Sequence, residues 1–164
     1  MTTNKLLEDL KMFTEQVTAN LLLPVSFQEG DTEEQQRPAA VYKMRLPDSN
    51  SAKKKCPYIL HQIVTTKTVQ EPGQQFPTMR AAVRSIFAVY CKDEQEGALN
   101  LLNLMTRLQI DLQKQIVIGG QFQLDMNAGV ETLVYPDNTA PYFIGEMSTT
   151  WISRSIRREV QVWP

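Results

Sequence analysis

Near the start of the chain, hydrophobic positions recur with helical spacing. Leu6, Leu10, Phe13 and Val17 fall at i, i+4, i+7 and i+11, with Leu7 beside them and Glu8, Asp9, Lys11 and Glu15 on other faces. The spacing predicts a helix over residues 3–20, capped by Thr3 or Asn4, and Pro24 prevents a simple continuation. A second helical stripe, Ala98, Leu101, Leu102, Met105, Leu108 and Leu112, predicts a helix over 93–115. Asp93 is placed to cap it, Glu94 and Glu96 suit its first turn, and Gly119-Gly120 ends the segment.

Period-two alternation takes over elsewhere. Over residues 79–91, Ala81, Val83, Ser85, Phe87, Val89 and Cys91 share one nearly apolar face, and Arg80, Arg84, Ile86 and Tyr90 share the other. A strand of that length invites a bulge or a bend. Residues 58–69, rich in Ile, Val, Thr and Tyr, read as a strand, 40–46 as a short one and 143–156 as a last long one. Residues 122–126 and 130–135 read as a hairpin around Asn127-Ala128-Gly129. Residues 28–38 (acidic) and 47–57 (with three lysines) read as exposed loops. The order α, short β, β-β, α, β-β-β predicts an α+β fold, with two helices packed on one face of a mostly antiparallel mixed β-sheet.

Composition narrows the function classes. The 164 residues suit one domain, 1–164, and 42% hydrophobic residues suffice for a real core. A net charge of -1 gives no global pull toward nucleic acid or membrane. Cys56 and Cys91 form no C-x-x-C pair, and with His61 as the one imidazole there are too few soft ligands for structural zinc. Free thiols in a reducing compartment are expected, with a Cys56–Cys91 bridge as the alternative. Acidic residues near the N-terminus interrupt any signal-peptide run, and no stretch approaches the ~20 apolar residues of a membrane span, so a cytosolic protein is expected.

Catalytic traces are few. His61 lies inside an apolar strand, where a packed or hydrogen-bonded imidazole is the plain reading and a general base the sharper one. No nucleophile elbow, phosphate loop or metal motif occurs, so no catalytic, cofactor or metal residue is assigned and no enzyme is expected. A small-ligand enzyme or regulator would require a pocket with convergent polar groups. Candidate contact residues are instead Arg80, Arg84, Ile86 and Tyr90 on the second face of strand 79–91; the run Lys53, Lys54 and Lys55; the group Arg154, Arg157 and Arg158; and Trp163 near the terminus. The lysine run also reads as a solvated loop tip, and the arginine group is weak as a DNA patch.

Residues 141–151, Pro-Tyr-Phe-Ile-Gly-Glu-Met-Ser-Thr-Thr-Trp, closely resemble a segment of prophage tail proteins from long-tailed bacteriophages. The strand at 79–93, the amphipathic helix at 94–115 and the turn Gly119-Gly120-Gln121-Phe122 are similar to the same family's arrangement, so with the N-terminal helix the resemblance covers most of the chain. The class it resembles is the tail terminator, or minor tail component. That resemblance implies a structural virion protein without catalytic residues. It would form a homo-oligomeric, six-membered ring that caps the tail tube, stops its polymerisation and offers a surface to head-completion proteins. It further implies that genomic DNA passes through the ring without sequence-specific binding, no membrane partner, and residence in the host cytoplasm and then the virion tail. A head–tail connector or stopper protein is the alternative.

Overall fold

The computed structural model describes residues 2–26, 33, 35–47 and 49–153. Helix α1 (Thr3–Thr18) starts one residue earlier than its expected cap allows. The cap is Thr2, whose extended backbone lets its hydroxyl accept from the Lys5 N–H at 3.1 Å. Helix α2 (Glu94–Gln115) is capped as expected, with the Asp93 carboxylate accepting from Glu96 N–H at 2.8 Å.

The strands are β1 (Leu23–Pro24), β2 (Gln36–Arg37), β3 (Ala40–Lys43), β4 (Tyr58–Val69), β5 (Thr78–Tyr90), β6 (Val117–Ile118), β7 (Phe122–Leu124), β8 (Glu131–Val134) and β9 (Tyr142–Ser153). β1 and β2 pair with each other, and the main sheet runs β3-β4-β5-β9-β7-β6 with β8 also on β9. Only the β3–β4 pair among these is parallel. This is the expected α+β architecture.

Both helices cover one face of the sheet. Leu6 and Leu10 from α1 and Leu101, Leu104, Met105, Leu108 and Leu112 from α2 meet Ile59, Val83, Phe87, Val89, Phe143, Met147 and Trp151. The α2 stripe differs from the expected one by a residue: Leu104 is buried, whereas Leu102 is 46% exposed. Leucines at 99, 101, 102 and 104 surround the helix, and only the sheet decides which side is in. Gly97 is set by this packing, since a Cβ there would lie 2.2 Å from the Phe143 ring. Asp9, expected on an outer face of α1, is buried and bound to Lys5 at 2.6 Å. Its Oδ2 lies where a Gly119 Cβ would be, and φ +58 at that turn is a second reason for glycine there.

Two strand expectations are corrected. The bulge lies in β4, between Ile63 and Thr65, and β5 keeps continuous register with β9. β5 is held on both sides, while β4 beyond His61 has one strand neighbour and can yield. Segments 122–126 and 130–135 do not form a hairpin. Leu124 pairs with Trp151 and Glu131 with Ser148, so β7 and β8 are two pieces of one interrupted strand along the same edge of β9. Asp125 causes the interruption: its Oδ1 accepts from the N–H groups of Asn127 (3.0 Å) and Ala128 (3.2 Å). That turn makes an excursion and returns the chain to its former direction.

Candidate assembly surface

Period two places Arg80, Ala82, Arg84, Ile86, Ala88 and Tyr90 of β5 on the face away from the helices. Their partners there are Gln62, Leu60 and Tyr58 on β4 and Ile152, Thr150, Ser148, Glu146, Ile144 and Tyr142 on β9. The structure therefore brings the four β5 candidates onto one face, but it treats them differently. Tyr90 is a buried residue, not a semi-exposed one. It packs in a second small core with Cys56, Tyr58, Leu60 and Ala88, flanked by Tyr42, Leu46, Ile86, Tyr142 and Ile144. The tyrosines meet edge-on or tilted, Tyr42 on Tyr58 at 6.3 Å and Tyr90 on Tyr142 at 5.6 Å.

The lid on this second core is the segment expected to be a fully exposed loop. Residues Ser49–Lys55 form a 3-10 helix, and Cys56 and Pro57 beyond it are buried. Arg37 fixes the segment by donating to the carbonyls of Lys55 (2.8 Å) and Pro57 (3.0 Å). Lys53 stands over the Tyr142 ring at 5.3 Å, Lys54 is exposed and Lys55 is half-buried. Burial pushes the Cys56 thiol and the Tyr58 hydroxyl up to about 12 each. Both cysteines are free and buried, as the reducing reading expects. The other expected loop, 28–38, contains β2 at its end, and residues 28–32 and 34 lie outside the described residues.

Past the lid no described element covers the outer face. Arg84 is exposed and donates to the Gln62 side-chain oxygen at 2.9 and 3.2 Å. Arg80 is half-buried, with its guanidinium paired to Glu71 and, at 3.6 Å, to buried Asp125. Beyond the bulge, residues 64–68 of β4 are all exposed, whichever face they point to. The end of β4 is thus an exposed edge strand, while the β5 residues it pairs with, Arg80, Ala81 and Ala82, are buried or half-buried between β4 and β9. At the other side of the sheet all four residues of β8 are exposed, with Leu133 at 49% and Val134 at 40%. Sequence reasoning passes over these two stretches. The signal is the Thr65-Thr66-Lys67-Thr68 run, which has no apolar side to bury. Arg154, Arg157, Arg158 and Trp163 lie outside the described residues.

The inner face holds an arrangement that resembles catalytic machinery. His61 Nδ1 is 2.7 Å from Ser85 Oγ and its Nε2 is 2.8 Å from Thr14 Oγ1. Yet His61 and Thr14 are wholly buried and Ser85 is 1% exposed, so no substrate reaches the hydroxyl. The triad joins α1 to the sheet as a satisfied polar network. Desolvation lowers the imidazole to about 4 and keeps it neutral. A cavity of about 640 Å³ opens between Asp9, Met12, Phe13, Val117 and Gly119-Gly120. Lys5 holds Oδ1 of the Asp9 carboxylate, and Oδ2 has no hydrogen-bond partner among the described residues. Among the described residues no group of three or more metal-binding side chains occurs, and no helix is long and apolar enough to cross a membrane. No protein-family model matches the chain, and no curated protein matches it.

Proposed function

We propose that the chain is a structural assembly protein of a long bacteriophage tail. Copies arrange as a ring on the end of the tail tube, stop its polymerisation and present a surface for head attachment. The observation that carries the assembly part is the end of β4: residues 64–68 stand exposed on both faces, with a strand edge that no other described strand occupies. Free edges and half-bare faces are costly for a protein that works alone, and they suit pairing between subunits. The tail assignment rests on the resemblance of residues 141–151, which form most of β9, the strand joining β5 to the edge pieces β7 and β8.

Electron microscopy of lysates from a phage lacking this protein tests the reading. Uncapped tubes should grow past the normal length, because a stacked assembly has no internal stop. Arg84→Glu should give a graded form of the defect in a folded protein, since it reverses an exposed charge and leaves the helix-covered face untouched. Normal-length tails attached to heads contradict the proposal. Normal-length tails left unattached favour a connector role.

A further inference from the structure

We infer that neighbouring copies join by antiparallel pairing of the β4 edge at residues 64–67 with β8 of the next copy, in the register that sets Lys67 opposite Glu131. The inference rests on the ring reading and specifies which two surfaces meet. β3 covers β4 from Tyr58 to His61 and the Met44 sulfur accepts from the Ile63 N–H, so among the described residues the edge is open past Ile63. β8 pairs with β9 alone, leaving its other edge open among the same residues. These are two different surfaces of one molecule, as a head-to-tail contact requires.

Direction, facing and charge agree on one arrangement. β8 is antiparallel to β9, β9 to β5 and β5 to β4, so β8 runs antiparallel to β4. Lys67 lies level with Ile152 and Glu131 with Ser148, four residues away along β9, so the ring axis is tilted from the strands. A rotation about such an axis offsets neighbouring copies along the strand and lets the two edges meet antiparallel. Lys67 faces outward with its partner Arg80, and Glu131 faces outward with its partner Ser148. Setting them opposite places Thr66 against Thr132, both on the helix side, and Thr65 against Leu133, both outward. Every side chain keeps its face, whereas a one-residue slip would invert the whole strand. Lys67 and Glu131 are exposed and in no ion pair among the described residues, and opposite charges directly across strands attract. The pairing also covers Val64, Leu133 and Val134, which are 55%, 49% and 40% exposed in the single chain.

The test traps the contact covalently. Lys67→Cys and Glu131→Cys are made as separate full-length proteins, mixed and mildly oxidised. Both sites are exposed, so neither change disturbs the core, and the native thiols are buried. The mixture should form a disulfide-linked dimer on the order of tenfold faster than Glu131→Cys mixed with Thr106→Cys on the outer side of α2, because pairing raises the effective concentration of the two thiols. Sedimentation of the unmodified chain separates the two levels of failure. Self-association without faster cross-linking overturns the edge pairing and leaves the ring reading standing. Neither self-association nor faster cross-linking, in solution or on tube ends, overturns both.

Discussion

The two faces of the sheet differ in what completes them. On the helix side most polar side chains that enter are met from within the chain: His61 by Thr14 and Ser85, the Trp151 indole N–H by Thr149 Oγ1 at 3.0 Å, and Asp9 Oδ1 by Lys5, while Asp9 Oδ2 is left without a partner among the described residues. On the outer side the described residues cover one end, with the 3-10 helix beside the tyrosine cluster, and leave the end of β4 and β8 exposed. The helix-covered face holds the main core, whereas the end of β4 and β8 stay exposed among the described residues.

The sharpest way to break that contrast is to remove the keystone of the helix-covered face. Trp151 is 1% exposed at the junction of β9, β7 and β5. Trp151→Ala should lower stability by about 3–5 kcal/mol through lost burial and the cavity left behind. Urea unfolding measures it; a loss below about 1 kcal/mol, the size of an ordinary substitution, would mean this face is not where stability resides.

A smaller effect comes from pH. His61 titrates at about 4 when folded against 6.5 when free. Its neutral form therefore contributes stability that is intact above about 6.5 and lost as pH falls toward about 4, because the unfolded chain takes up the proton first. The loss is on the order of 3 kcal/mol, since every tenfold difference in proton affinity between the folded and unfolded chain is worth about 1.4 kcal/mol. Urea midpoints between pH 7 and 4 should fall less steeply in His61→Gln than in the parent. Equal slopes would place the imidazole in water, contrary to the sealed network.

Much of this is legible in the sequence and some is not, for definable reasons. The β5 alternation of Ala81, Val83, Ser85, Phe87 and Val89 against Arg80 and Arg84 reads correctly because period two survives wherever one face is covered. Tyr90 misleads because its cover comes from residues 49–57, whose turn residues and lysines conceal that Cys56 and Pro57 go inside. The apparent hairpin at 122–135 fails on Asp125, whose local hydrogen bonds give a turn that does not reverse the chain. The end of β4 reads as a strand whether covered or bare, since β-branched threonines favour both, and only the lack of an apolar side in Thr65-Thr66-Lys67-Thr68 signals its exposure. Pairing of Lys67 with Glu131 needs the register of four strands at once.

The most direct measurement of the central claim is amide hydrogen exchange of the chain alone and then bound to purified tail-tube ends. The account predicts slow exchange throughout for the sealed strands β5 and β9 and for α1. In the free chain, rapid exchange is expected at those amides of residues 64–69 and 131–134 that point to the open edges, with strong protection of the same amides on binding. Protection of those amides in a verified monomer, or no change in them on binding, would contradict it.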